Sequence, residues 1–169
     1  MNMDDLKMLA KNEIPALSKK LGASDIRFLI QTLNEKDDNV RYNAFLLLQS
    51  SSREFPFVYE YWNDLEEKLE DSNSQQRSLG VMLIAENVKW DRHDRLSKTI
   101  SKYLRCCNDE KFITSRQAIQ GLETIVKATA KFNDQIEQSL ANLRLSKYKE
   151  NQQKLINKDI SNILKRINI

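Results

Sequence analysis

The chain has 169 residues, of which 40% are hydrophobic and 30% charged, enough for one domain with a real core. Three glycines and two prolines are too few for the tight turns of an all-β fold, so the sequence reads as all-α. The formal net charge of +3 is uneven: residues 127–169 hold nine Lys/Arg against four Asp/Glu, while residues 1–126 hold eighteen against twenty.

Met3, Leu6, Leu9, Ile14, Leu17 and Leu21 recur at helical spacing and predict a helical cap over residues 1–23. Pro15 falls in the first turn of its second helix, and Gly22 reads as a C-terminal stop. Ser24-Asp25 is the expected cap of the next helix, whose stripe is Ile26, Leu29, Ile30 and Leu33. Asn39 is the expected N-cap of a helix over 40–50 with Val40, Ala44, Leu47 and Leu48 on one side. Phe45 and Leu46 widen its apolar arc, as an inner helix between neighbours requires.

Pro56 is expected to open the following helix, with Val58, Trp62, Leu65 and Leu69 inward. The next helix, 75–88, is apolar all round at its centre and carries Gly80 there. A glycine inside a helix costs about 1 kcal/mol relative to alanine, which predicts a second backbone close by. Asp91–Asp94 reads as a polar connector, with Trp90 packed beneath it. Helices follow over 95–106, 113–127 and 132–145. Ser146–Gln153 is a polar link, and a last helix covers 154–167.

A pattern recurs along this order. Asp37–Gln49, Asn73–Glu86 and, more loosely, Lys111–Val126 each run from a polar turn through an arginine into a buried helix. Arg41 and Arg77 are 36 residues apart, Arg77 and Arg116 are 39 apart, and Leu47, Leu83 and Leu122 each lie six beyond their arginine. Two helices of about 12–15 residues with two turns need that length. The chain therefore divides into the cap and helix pairs over 24–55, 56–90, 91–128 and 129–169, the last more polar, as a terminal unit should be.

Asp37, Val40, Arg41 and Ala44 resemble the second-helix signature of HEAT repeats, a likeness covering roughly residues 24–167. The resemblance implies an α-solenoid of about four HEAT-like pairs behind the N-terminal cap. It also implies a structural ladder of Asp37, Arg41, Arg77 and Arg116 between successive pairs. The second copy has Ser72 or Ser74 where an aspartate is usual, and the third has a stretched turn. The chain is also similar to small bacterial HEAT-like proteins sometimes labelled SufBD, although the SufB and SufD scaffolds are β-helical and this sequence is helical throughout.

Little chemistry is written in the chain. His93, the one histidine, sits in the polar connector without partners for a zinc site or a triad. Gly22, Gly80 and Gly121 are isolated, so no phosphate loop exists. The acid pairs Asp37-Asp38 and Glu66-Glu67 fit turns and helix faces. Cys106 and Cys107 read as two thiols near a helix end, one of them buried. No apolar run exceeds five residues, as at Val81–Ala85, so no span or signal peptide is expected and the location reads as cytoplasmic.

The expectation is a non-enzymatic protein-interaction or scaffold module with a protein or peptide partner and no catalytic residue, cofactor, metal or membrane. Tyr59, Tyr61 and Tyr103 are set down as lining a surface groove, with packing between repeats as their other use. Lys147, Lys149, Lys154, Lys158, Lys165 and Arg166 form either a solvated end face or a phosphate-binding one. The second reading of function is a DNA-binding protein of the HEAT-like alkylpurine DNA glycosylase type. The net −2 of residues 1–126 counts against it.

Overall fold

A computed structural model describes residues 1–169. The chain forms ten α-helices linked by short 3-10 turns, with no β-strand. These are α1 (Met3–Met8), α2 (Ile14–Ser18), α3 (Ala23–Thr32), α4 (Asp38–Glu54), α5 (Trp62–Lys68), α6 (Ser74–Asn87), α7 (Leu96–Cys107), α8 (Phe112–Ala128), α9 (Asn133–Ala141) and α10 (Glu150–Ile167). None is long and apolar enough to cross a membrane.

The contacts follow chain order. Helices α1, α2 and α3 pack on α4, α5 on α6, α7 on α8, and α9 on α10. The second members touch in succession, α4 with α6, α6 with α8, and α8 with α10. One apolar cluster runs from Leu6 to Ile163. Leu47, Leu83 and Leu122 are all wholly buried in it.

Several boundaries differ from the sequence reading, each for a local reason. Asp37, not Asn39, caps α4, because its Oδ1 accepts the backbone N–H of Asn39 and of Val40, both at 3.0 Å, satisfying donors at the helix start. Gly22 does not end a helix but precedes α3, where its N–H donates to Asp25 Oδ2 at 2.9 Å. Pro56 does not open a helix: Phe55 before it is extended, as the residue preceding proline prefers, and α5 begins only at Trp62. Helix α9 stops at Ala141, since the chain turns away and Arg144 N–H donates to Asn108 Oδ1 at 3.0 Å. Helix α10 starts earlier than expected, at Glu150, with the Gln152 side chain accepting Lys149 N–H at 3.1 Å.

Two glycines mark the tightest crossings. A Cβ on Gly80 would meet Lys68 Cβ at 3.0 Å and the Leu65 carbonyl oxygen at 3.1 Å, so α6 lies here against the backbone of α5 as well as its side chains, as the position of Gly80 predicted. Gly121 was not singled out, yet it is tighter: a Cβ there would lie 2.1 Å from the Tyr103 hydroxyl. That hydroxyl donates to the Ala118 carbonyl at 2.7 Å, and the Tyr103 ring is wholly buried. The absent side chain is thus the space that the phenol fills.

Polar side chains tie each pair to the next. Trp62 Nε1 donates to Thr99 Oγ1 at 3.0 Å, and Asn87 Nδ2 donates to Ser52 Oγ at 3.0 Å. The buried Lys68 ammonium reaches Asn34 Oδ1 at 3.0 Å and Gln76 Oε1 at 2.6 Å. Burial pushes its pKa down against the pull of Asp71, Asp64 and Glu67.

A coupled pair of substitutions tests the α7–α8 crossing. Gly121→Ala is expected to destabilise by about 1–3 kcal/mol through overpacking, and Tyr103→Phe by about 1 kcal/mol through the lost hydrogen bond. Since removing the hydroxyl clears the clash, urea unfolding of the double variant should show less than the summed loss. Simple additivity would mean that the phenol does not occupy the glycine's space.

Candidate functional site on the inner helices

The second helix of each pair keeps one face open. On α4 the accessible stripe is Tyr42, Leu46, Gln49 and Arg53, at spacings of three and four that hold to one side of a helix. On α6 it includes Met82 and Glu86, and on α8 Ile113, Gln117, Gln120 and Thr124. These faces meet in a depression of about 140 Å³ lined by Gln49, Met82, Glu86, Gln117, Gln120 and Thr124. Arg53 Nε holds Glu86 at 3.2 Å, leaving the floor without an unpaired carboxylate. Arg41 and Lys68 engage Gln75 and Gln76, whereas Gln49, Gln117 and Gln120 line this depression.

The arginines of the repeat lie near the starts of the same helices. Arg41 Nη1 donates to the carbonyls of Glu35 at 2.9 Å and Lys36 at 3.4 Å, and Nη2 reaches Gln75 Oε1 at 2.9 Å and Asp38. Arg77 repeats the arrangement one pair later. Its Nη1 donates to Asp71 O at 2.8 Å and Ser72 O at 3.1 Å, and Nε and Nη2 hold the two oxygens of Asp109 at 2.7 and 3.0 Å. Arg116 Nε reaches Asp159 Oδ2 at 3.0 Å. Each guanidinium fastens its helix to the following pair, and the first two also fasten it to the preceding turn. Asp37 stands apart from them, its carboxylate given to the α4 cap.

Two of the three tyrosines set down as groove residues are not on the surface. Tyr59 and Tyr103 are both 0% exposed, so neither lines a groove. A buried phenol needs a hydrogen-bond partner, and each has one: Tyr59 Oη donates to Asp91 Oδ1 at 2.6 Å, and Tyr103 donates to Ala118. Burial, together with the Asp91 bond, pushes the Tyr59 hydroxyl up to about 12. Tyr61 is half-buried and packs against the core, away from the depression. The exposed aromatic of the inner face is Tyr42, whose ring lies 4.2 Å from Lys11 Nζ.

No nucleophile is poised here. Cys106 and Cys107 are both buried, not one alone. Cys106 Sγ donates to Leu69 O at 3.6 Å, and burial raises its pKa to about 11, so the thiol holds its proton. The His93 ring stacks on Tyr59 at 6.2 Å and its Nε2 accepts from Arg92 Nε at 3.2 Å. No three His, Cys, Asp or Glu side chains converge as a metal site would require.

The groove amides were missed because glutamine on a helix reads as ordinary solvated surface. A signal was present nonetheless. The open positions fall one, five and eight residues beyond Arg41 and Arg116, giving Tyr42, Leu46 and Gln49 on α4 and Gln117, Gly121 and Thr124 on α8, whereas beyond Arg77 only the fifth, Met82, is open, since Ser78 and Ala85 are buried. Compared with protein-family models, curated proteins and solved structures, the chain matches none.

The Arg77–Asp109 pair makes a pH prediction. Burial pushes the Asp109 carboxyl up, but the bonds from Arg77 and from Lys111 N–H, with the charges of Arg77 and Lys147, outweigh it and hold the pKa below 3.8. A carboxyl depressed on folding stabilises fully above its unfolded value, and that contribution fades as the pH falls through the folded one. Asp109→Asn should therefore cost about 1–3 kcal/mol at neutral pH. The gap to wild type in urea midpoint should close as the pH drops below 3.8; a gap independent of pH would exclude the ion pair as its source.

Proposed function

We propose that the chain is a HEAT-type α-solenoid of four helix pairs behind an N-terminal cap, and that it binds an extended segment of a partner protein along its inner helices. The succession α4, α6, α8 and α10 supports the architecture, as does the like placement of Arg41 and Arg77 against the two carbonyls before their helices. Stacked pairs of this kind present long continuous surfaces.

The observation that carries the functional reading is the amide set of Gln49, Gln117 and Gln120 around Met82. A carboxamide both donates and accepts, as does each unit of a peptide main chain. Amides on α4 and α8, with Met82 of α6 between them, can follow an extended backbone, while the Met82 thioether adapts to varied side chains. Because the helices hold the groove in place without a ligand, binding orders little of the module.

A phosphate backbone would find poor reception there. No cation lines the depression, and Arg53, which reaches its Glu86, is held by that carboxylate. The basic C-terminal quarter is partly consumed in contacts: Lys131 with Asp94, Lys147 with Asn108 and Glu110, and Arg166 with Glu123.

Short peptides selected from a random display library by the wild-type protein supply the test. The triple variant Gln49→Ala, Gln117→Ala, Gln120→Ala should keep its unfolding midpoint yet bind them roughly tenfold or more weakly, as loss of several hydrogen bonds implies. Equal binding by variant and wild type would remove the groove from the account. Retention of duplex DNA at low salt, lost steeply as salt rises, would favour the glycosylase-like reading.

A further inference from the structure

A second depression lies between the connectors that follow α6 and α8, and it shares no lining residue with the amide groove. After α6 the chain makes a 3-10 turn over Val88–Trp90. Asp91 then fixes the connector, accepting Tyr59 Oη at 2.6 Å, Arg95 N–H at 2.8 Å and Leu96 N–H at 2.9 Å. The expected solvated linker is thus a built structure. Asp94, with φ 53°, is the one non-glycine residue in the left-handed region, a conformation that surrounding contacts must hold. Facing it is the turn at Thr129 and Lys131 after α8.

The cleft between the two connectors has a volume of about 510 Å³, within the range of small-molecule sites. Val88, Leu96, Phe132 and the Trp90 ring make its floor. Trp90 Nε1 donates to Ser52 O at 2.6 Å, which locks the indole plane. The rim is basic. Lys89 Nζ lies 5.1 Å from the Trp90 ring centre and Lys131 Nζ 5.5 Å from that of Phe132.

The charges are compensated unequally. Glu60 holds Arg92 at 2.7 Å, and both oxygens of Asp94 hold Lys131 at 2.9 Å across the mouth. Lys89 has only the Arg53 carbonyl, a neutral partner. Asp91, the cleft's other carboxylate, has its oxygens taken by Tyr59 Oη and the N–H groups of Arg95 and Leu96, so an anionic ligand meets in Lys89 a cation with no acidic partner. A flat aromatic body suits a floor of fixed rings better than an aliphatic one.

We propose that this cleft binds a small planar aromatic carboxylate, its ring against Trp90 and Phe132 and its carboxylate received by Lys89 and Lys131. Asp94 occupies Lys131 in the free protein, and the ligand's carboxylate takes its place.

Titration of isotope-labelled full-length protein with 2-naphthoate, followed by NMR of the indole N–H signals, tests this. The chain has two tryptophans. Trp62 is wholly buried and bonded to Thr99, so it serves as the internal control. The Trp90 signal should shift to saturation while that of Trp62 stays fixed. Lys89→Gln and Lys131→Gln should each bind roughly tenfold more weakly, as loss of one charge-assisted hydrogen bond implies. Asp94→Asn should bind more tightly, because it releases Lys131. All three side chains are exposed, and unchanged unfolding midpoints check that the fold is kept. An unmoved Trp90 signal, equal binding of uncharged 2-naphthamide, or weaker binding by Asp94→Asn would each overturn the proposal.

Discussion

Everything in this molecule depends on the inner helices being buried on more than one side. Helix α6 lies against α4, α5 and α8 at once, and Val81, Leu83 and Ile84 are each 0% exposed. Burying one such side chain stabilises by about 1.5–3 kcal/mol. No single-sided amphipathic stripe could supply three packing surfaces, so the centre of the helix must be apolar on every side but the open one of Met82 and Glu86. The same demand removes side chains where helices cross most closely, at Gly80 under α5 and at Gly121 under the Tyr103 phenol.

Apolar packing alone would let neighbouring helices slide. The polar contacts at their interfaces have definite donors and acceptors and so define one register. Ser18 with Ser50, Trp62 with Thr99, Ser78 with Thr114 and Asn87 with Ser52 all join different pairs or the cap to a pair. An unmatched buried polar group costs about 1–3 kcal/mol, so a slipped packing would be penalised at several places together. The repeated arginines act in the same sense from the edge, each satisfied by groups of a neighbouring element.

This use of polar groups shapes what remains for recognition. Most arginines and many carboxylates are spent within the chain, and the groove over α4, α6 and α8 is left with amides, a thioether and one closed ion pair. Uncompensated charge gathers elsewhere, at the connector cleft beside Trp90 and on the outer side of α10, where Lys154, Lys158 and Lys165 are exposed. The two proposed sites therefore differ in chemistry for one reason: a neutral surface forms where helices exchange ion pairs, and a charged one where connectors leave a lysine over.

The helical class, most of the helix positions, the recurrence at 36 and 39 residues and the close approach at Gly80 are all legible in the order of residues alone. These are local or periodic properties, carried by apolar spacing and by the cost of glycine within a helix. That order did not determine the direction in which large side chains point. Tyr59 and Tyr103 could have faced water; each is buried because a partner distant in sequence, Asp91 or Ala118, receives its hydroxyl. Nor could composition distinguish the glutamines of the groove from those of any wet helix, since only the packing of three helices brings Gln49 beside Gln117 and Gln120. Caps shifted for the same reason. Several residues near each terminus could accept a backbone N–H, and which one does is settled by where tertiary contacts pin the helix end.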